Sequence, residues 1–297
     1  MSNKSLSQAS TISCENSEDT FTLSISVVLY KTPLTQIKEC LATLIVALRA
    51  CENFIGPDRS VLVLVDNSPS RIIDDADYRL LEQEFSESGI NLDIIYGHGN
   101  VGYGAAHNIG FAKCKQNDKS FHLFMNPDIK IDQNCIRSGI EFLAKNPSVS
   151  LVSPFCEDFV GEQQFLCKRF PSVLDLFLRS INSAWLKNFF HRRLSNYEMR
   201  GMHKRSEPSE VLIASGCFML GRADAISIVG GFDHRYFLYF EDFDLSLRIA
   251  KQGRLMFVPS MRIKHDGGNA SQKGLQHIAM FIRSAARFFN KYGWRWY

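Results

Sequence analysis

Phe21-Thr22-Leu23-Ser24-Ile25-Ser26-Val27-Val28-Leu29-Tyr30 opens the ordered part of the chain, and Thr32-Pro33 then starts an apolar-periodic stretch, Leu34–Ala50. The run Leu23–Tyr30 is rich in β-branched residues and short, which reads as a strand. Leu34–Ala50 is long and repeats at helical spacing. The same alternation recurs downstream. Strand-like runs lie at Val61–Val65, Leu92–Tyr96, His122–Met125 and Val149–Pro154. Helical stretches lie between them at Asp75–Glu87, Tyr103–Lys115 and Gln133–Lys145, with Asp132 as the expected N-cap of the last. Strands alternating with helices predict parallel βαβ units in a doubly wound, mostly parallel α/β sheet flanked by helices. Ligands of such sheets sit outside the carboxyl ends of the strands.

The chain of 297 residues is 45% apolar and 22% charged, with a net charge of +3. That composition excludes wholesale disorder, collagen and coiled coil. No uncharged apolar run reaches the ~18–20 residues needed to cross a bilayer. Residues 1–20 are polar, lack a signal-peptide pattern and read as a disordered tail, so a cytoplasmic protein is expected. Eight cysteines without a C-x-x-C pair read as reduced, buried thiols.

The loops after the strand-like runs are polar: Asp66-Asn67-Ser68, Gly97-His98-Gly99-Asn100 and Asn126-Pro127-Asp128. Each alone is an ordinary turn. Three at one sheet edge point to a polar ligand. Gly97-His98-Gly99-Asn100-Val101-Gly102 matches G-x-G-x-x-G, but it follows the third run and lacks a ribose-binding acid about 20 residues on, which argues against a dinucleotide cofactor. Asp128, at a strand end, suits a hard divalent cation that itself holds a diphosphate.

Phe237-Leu238-Tyr239-Phe240-Glu241-Asp242-Phe243-Asp244-Leu245 is the most specific stretch. Acids at a helix start satisfy the dipole. The aromatic approach additionally predicts desolvation, which raises a carboxylate pKa towards general-base work. Phe240, Phe243, Leu247 and Ala250 predict a buried helix face. His265 leads a Gly-rich turn after an alternating segment, where a neutral imidazole can join a metal shell.

Two segments are basic and aromatic. Residues 165–205 carry a net +7 and residues 271–297 a net +5, both interleaved with Phe, Trp or Tyr. An anionic membrane surface, a solvated or packing helix face, and a nucleic-acid patch are the open readings. No nucleic-acid motif accompanies them, so nucleic acid is not an expected partner.

In order and spacing, several motifs together resemble family 2 glycosyltransferases of the GT-A fold, most of all their bacterial rhamnosyltransferase-like branch. They are Asp66-Asn67-Ser68, Gly99-Asn100-Val101-Gly102 with Asn108 and Gly110, Asn126-Pro127-Asp128, Ser215-Gly216-Cys217-Phe218-Met219, Gly230-Gly231-Phe232-Asp233, Phe240–Leu245, and His265. The resemblance runs from about Ser24 to about Ser271. One departure is that the family's Asp-x-Asp stands as Asn126-Pro127-Asp128, leaving one carboxylate.

The resemblance implies an inverting sugar transfer from a nucleoside-diphosphate sugar, with dTDP-L-rhamnose as the first expectation. The acceptor would be a lipid-linked saccharide of surface polysaccharide or O-antigen synthesis. Asp66 and Asn67 would contact the nucleoside. Asn100, Gly102 and Asn108 would line the donor pocket. Asp128 and His265 would hold Mg²⁺ or Mn²⁺. Asp242 would be the base with Glu241 beside it, and Gly216 and Cys217 would lie under donor and acceptor. It divides the chain into a donor-binding half (21–155), a basic-aromatic insertion (156–209), an acceptor and base half (210–270) and a C-terminal basic helix (271–297). The basic segments would then dock a peripheral enzyme at the inner face of the cell membrane. The alternatives are a UDP-hexose or UDP-galactofuranose donor, a sugar nucleotidyltransferase, or a non-catalytic sugar-nucleotide-binding subunit. A nucleotidyltransferase is expected to carry a Gly-rich basic loop after the first strand, which Tyr30-Lys31-Thr32-Pro33 is not.

Overall fold

The computed structural model describes residues 20–113, 119–181, 183–204, 206–265 and 274–297. The tail expected over residues 1–20 falls almost wholly outside these, as do Cys14, Cys114 and the Gly-rich turn after His265. The elements in chain order are β1 (Phe21–Leu29), α1 (Leu34–Arg49), β2 (Ile55–Asp66), α2 (Asp75–Ser86), β3 (Ile90–Ile95), α3 (Tyr103–Phe111), β4 (Ser120–Met125), β5 (Ile129–Ile131) and α4 (Cys135–Lys145). Then follow β6 (Val149–Glu157), β7 (Gln163–Gln164), β8 (Cys167–Lys168), α5 (Val173–Ser180), α6 (Ala184–Phe189), α7 (His191–Tyr197), β9 (Ser209–Val211), β10 (Ile213–Ala214) and β11 (Phe218–Arg222). The chain closes with α8 (Ala223–Ile228), α9 (Glu241–Ile249), β12 (Arg254–His265) and α10 (Leu275–Tyr292).

The main sheet runs β3-β2-β1-β4-β11-β6-β12-β5, with β7 on β6 and β9 on β12. β3, β2, β1 and β4 are mutually parallel. The order reverses between β1 and β4, so a crevice opens at their carboxyl ends. β11 enters antiparallel between β4 and β6. Its register, Phe218↔Met125, brings the residues just before β11 to the carboxyl end of β4. β12 lies parallel to β6, but its register slips between Val258 and Arg262, across Pro259. Proline cannot donate to a ladder, so a bulge there is expected. Beyond it β12 pairs antiparallel with β5. The parallel expectation thus holds in the first half of the chain, while β11, β9 and β5 make the second half mixed.

The core follows from the strand patterns. Leu23, Ile25, Val27 and Leu29 alternate onto one face of β1 and pack against α1 through Ile37, Leu41, Leu44 and Leu48. The other face carries Ser24 and Ser26, which are also buried. They meet two buried histidines: Ser24 Oγ is 2.7 Å from His122 Nδ1, and Ser26 Oγ is 2.7 Å from His107 Nδ1 and 3.0 Å from His122 Nε2. Six described cysteines are buried free thiols.

Two local expectations are corrected. Asp132 does not cap α4: the residue before the helix is Asn134, and Asp132 instead accepts the Asn134 N–H at 3.0 Å in a turn ahead of it. The buried side of α9 is Asp244, Leu245, Ser246 and Ile249, whereas Ala250 is exposed. Phe240, Phe243 and Leu247 form a second apolar stripe that packs on α10. The helix is therefore gripped on two sides.

Burial lowers the His107 pKa to about 3 and holds His122 well below the usual value. The unfolded chain therefore binds protons that the folded chain refuses, and stability rises with pH. Between about pH 6 and pH 4 each such histidine costs up to ~1.4 kcal/mol per pH unit. His107→Gln should flatten this slope in chemical unfolding, whatever it does to absolute stability. An unchanged slope would show that the histidine does not set it.

Candidate active site

The loops at the sheet's switch point are held by side chains that stand at strand ends. Asp66 closes β2 and is buried; its Oδ1 accepts the Ser68 N–H at 3.0 Å and its Oδ2 the Ile72 N–H at 2.7 Å. Asn67 beside it donates to Asn100 Oδ1 at 3.2 Å and the Gly102 carbonyl at 3.1 Å, and His98 Nε2 lies 3.1 Å from its Oδ1. Asn100 Oδ1 also accepts the Gly102 N–H at 3.0 Å. Gly102 has φ +92°, and a Cβ there would lie 2.5 Å from the Phe237 carbonyl oxygen. Only glycine fits, because the next residue, Tyr103, donates its N–H to that same carbonyl at 2.9 Å. The donor-side loop is thereby tied to the acid-bearing segment.

Asn108 sits one turn into α3, half-buried. Its Nδ2 donates to the Phe232 carbonyl at 2.7 Å and its Oδ1 accepts the Phe232 N–H at 2.8 Å. Each end of the amide gives one bond to this clamp and keeps one donor hydrogen and one lone pair.

The register His265↔Ile129 places His265 beside Asp128. Asp128 Oδ1 lies 3.3 Å from His265 Nε2. That oxygen is buried and has no hydrogen-bond partner among the described residues. Burial acts to raise the Asp128 pKa, but the neighbouring imidazole, its own backbone N–H and Asn126 together outweigh it and the net shift is downward. An ionised carboxylate with a free buried oxygen, flanked by imidazole, fits one edge of a divalent-cation shell. Among the described residues no third His, Cys, Asp or Glu joins them. Two protein donors suit a hard cation that keeps water and phosphate oxygens as its remaining ligands.

Glu241 and Asp242 begin α9. Asp242 Oδ2 accepts the Gly216 N–H at 2.9 Å and Oδ1 the Phe243 N–H at 2.9 Å. Glu241 is buried, and its Oε2 has no partner among the described residues. Burial, then the charge of Asp242, pushes the Glu241 pKa well up; burial also raises that of Asp242, against its two backbone N–H bonds. Asp242 is hence the member of the pair that more readily carries charge. Tyr239 and Phe240 both have left-handed backbones, with φ +68° and +65°. Two bulky residues in this region store strain. α10 holds them: Tyr239 Oη is 2.9 Å from His277 Nδ1, the Phe240 ring packs on Phe281 and Phe288, and Ser284 donates to the Leu238 carbonyl at 2.8 Å. Asp244, fully buried, anchors α9 through Arg248, Lys291 and Tyr292.

Tyr103 joins the two halves. Its hydroxyl lies 2.8 Å from Asn126 Oδ1 and 2.7 Å from the Gly216 carbonyl. Asn126 precedes the Asp128 turn and Gly216 holds Asp242. Cys217 sits between them, buried, accepting the Asn126 N–H at 2.9 Å through its carbonyl. Burial raises its thiol pKa to about 12, with Asp128 and Asp242 both adding to the rise, so the thiol stays protonated. The structure thus brings Asp128, His265, Gly216, Cys217, Glu241 and Asp242 around one tyrosine, with Asn67, Asn100 and Gly102 adjoining through the Tyr103 turn.

Residues 24–229 match the sequence profile described as Glycosyl transferase family 2. The chain belongs to that family. A rhamnosyltransferase of Escherichia coli K12, WbbL, is 28% identical over 255 residues, covering 80% of this chain and 86% of its own. The N-acetylglucosaminyl-diphospho-decaprenol L-rhamnosyltransferase of Mycobacterium tuberculosis is 29% identical over 201 residues, 64% of each chain. Among solved structures, GalNAc-T7 with UDP, GalNAc and Mn²⁺ superposes with a TM-score of 0.58 at 14% identity, over 84% of this chain and 44% of that one. The mannosyltransferase PcManGT of Pyrobaculum calidifontis, in complex with GDP-Man and Mn²⁺, gives 0.57 at 15% identity, over 90% and 65%. These place the glycosyltransferase in the GT-A fold.

Sequence reasoning passed over Tyr103. The one available signal was its place directly after Gly102, where a helix N-terminus meets the crevice. Tyr103→Phe in this glycosyltransferase should leave the fold intact. It should lower kcat roughly tenfold, as expected for loss of a buried hydroxyl worth ~1 kcal/mol or somewhat more, with little change in donor KM. Unchanged kcat would remove the bridging hydroxyl from the account.

Proposed function

We propose that this glycosyltransferase transfers L-rhamnose from dTDP-L-rhamnose, with inversion, to a saccharide carried on a lipid diphosphate. The observation that carries the reading is the meeting of Asp128–His265 and Glu241–Asp242 around Tyr103. Both rhamnosyltransferase relatives support the sugar, and the name of the Mycobacterium tuberculosis one supports the class of acceptor.

On this reading the Asp66–Asn67 and Gly97–Gly102 loops receive the nucleoside. Asp66 still has free lone pairs after serving its own loop, and a carboxylate can accept about four hydrogen bonds. Asn100 and Gly102 border the donor directly, and Asn108 acts by holding Phe232. Asp128 and His265 would hold Mg²⁺ or Mn²⁺, which when bound neutralises negative charge on the leaving diphosphate. Gly216 leaves room for the sugar; a Cβ there would already lie 3.1 Å from Asp242 Cβ and 3.3 Å from the Tyr103 ring.

Asp242 is the base. The acceptor hydroxyl attacks the anomeric carbon, its proton passes to Asp242, and the bond from that carbon to the diphosphate oxygen breaks. Glu241, the more strongly shifted acid, stays protonated and spares Asp242 a second negative charge. Activity should therefore rise with pH through the raised apparent pKa of the pair and fall away below it.

Part of each basic segment is structural. Phe170, Phe281 and Phe288 pack together, and the N–H groups of Val173 and Leu174 donate to the Arg295 and Trp296 carbonyls at 2.8 and 3.1 Å. The rest is surface: Trp185 and Phe189 are each 71% exposed and Leu275 is 84% exposed. Among the described residues no helix is long and apolar enough to cross a membrane. Exposed aromatics among cations suit docking at an anionic bilayer face, where a lipid-linked acceptor resides.

Asp242→Asn should cut transfer by at least ~10²-fold while donor affinity stays within about twofold, read by released nucleoside diphosphate and by calorimetry. Full turnover would reassign the base. A donor panel should rank dTDP-L-rhamnose first; preference for a UDP-hexose would change the sugar and leave the site intact. Binding to anionic vesicles should weaken with salt and with Trp185→Ala plus Phe189→Ala. Salt-independent or absent binding would remove the membrane contact.

A further inference from the structure

Outside the carboxylate crevice, the described residues place a surplus of positive charge around one buried acid. Glu198 is nearly buried and takes two arginines, Arg179 at 3.1 Å and Arg200 at 2.6 Å. Lys168, itself buried, lies close by and donates to the Phe165 carbonyl, while Arg200 stacks over the Phe165 ring at 5.2 Å. The next acid, Asp175, is already paired with Arg193 at 2.7 Å. These two acids and four bases leave a local surplus of two positive charges.

A buried surplus of this kind is costly, and burial together with Arg179 lowers the Lys168 pKa to about 8. Folding alone would not select it. The neighbouring Tyr197 hydroxyl is also buried without a hydrogen-bond partner among the described residues, and Arg179 lies over that ring at 5.9 Å. A buried hydroxyl beside two arginines that share a single carboxylate is the pattern of an oxyanion receptor. Arg179 and Arg200 keep 43% and 37% of their side-chain surface exposed, so the cluster can be reached from solvent.

The cluster is coupled to the active site. Lys168 stands on β8, paired with Ile213 of β10, and the chain runs from β10 through Ser215 to Gly216, whose N–H holds Asp242. The Lys168 charge is felt at both Cys217 and Asp242. We infer that Arg179, Arg200 and Lys168, with the Tyr197 hydroxyl, form a binding site for a phosphate group of the acceptor. The site rests on the reading of a lipid-diphosphate acceptor given above and adds to it the residues that recognise the diphosphate. Paired guanidinium groups suit phosphate oxygens, and Glu198 pre-orients both. The exposed Phe177 on α5, two residues before Arg179, offers apolar surface beside the cations for the lipid.

Steady-state kinetics with two acceptors and no vesicles test this. One is a short-chain polyprenyl-diphosphate N-acetylglucosamine; the other is neutral octyl N-acetylglucosaminide. Arg179→Gln and Arg200→Gln should each raise KM for the diphosphate acceptor at least tenfold and leave KM for the neutral one, donor hydrolysis and thermal melting nearly unchanged. Arg179→Lys should recover part of the loss. Equal effects on both acceptors, or none, overturn the site. If the variants instead lose only binding to phosphatidylglycerol vesicles while acceptor KM holds, the phosphate recognised is a membrane headgroup and the acceptor assignment fails. If the parent enzyme turns over no nucleotide sugar with either acceptor, the glycosyl-transfer reading fails, which is distinct from failure of this site.

Discussion

The hydroxyl of Tyr103 sits between Asn126 Oδ1 and the Gly216 carbonyl, and the spacing of the candidate site depends on it. One end of this bridge leads to the Asp128 turn, the other to the backbone that fixes Asp242. The tyrosine can stand there because Gly102 lets the chain pass against Phe237 without a side chain. Its ring packs edge-on against His107 at 4.5 Å, and His107 bonds Ser26 in the sheet. A line of buried contacts thus runs from β1 to the crevice, hydrogen-bonded between Ser26 and His107 and packed ring on ring between His107 and Tyr103.

The second constraint is strain held from outside. Tyr239 and Phe240 adopt backbones that non-glycine residues avoid, and this sets the angle at which Glu241 and Asp242 enter the crevice. The compensation comes from α10, about forty residues along the chain, through Phe281, Phe288, Ser284 and His277. Lys291 and Tyr292 fasten the same helix to Asp244. α10 therefore has two faces with separate purposes: one presses the acids into place, and the other leaves Leu275, Ile278 and Ile282 exposed. Composition alone reports both faces as one basic, aromatic segment.

The parallel half of the sheet was legible because its signals are local: β-branched runs, helical periodicity, and polar loops at strand ends. The antiparallel insertion of β11 was not, because pairing between Phe218 and Met125 is a long-range choice with no periodic trace. Single residues divide in the same way. Asp128, His265 and Asp242 stand in motifs whose order betrays the family. Asn108 shares that motif order, and its clamp on Phe232 is visible only in the folded chain. Asp132 has the composition of a cap, but the turn at Asn134 intervenes. Tyr103 reads as the first residue of a helical stretch, and only the folded chain reveals what its hydroxyl touches. The cationic cluster around Glu198 was visible as charge density, though the count could not tell solvated lysines from buried ones.

On the proposed function, one crevice grips a diphosphate at Asp128 and His265 and activates an alcohol at Asp242 on the opposite side of the sugar. Crystals of the protein with Mn²⁺ and an intact, non-hydrolysable dTDP-rhamnose analogue, measured at the manganese absorption edge, test that most directly. The anomalous peak should fall between Asp128 and His265, with the anomeric carbon lying between the β-phosphate and the Asp242 carboxylate. A peak elsewhere, or Asp242 on the same side as the phosphate, would contradict it.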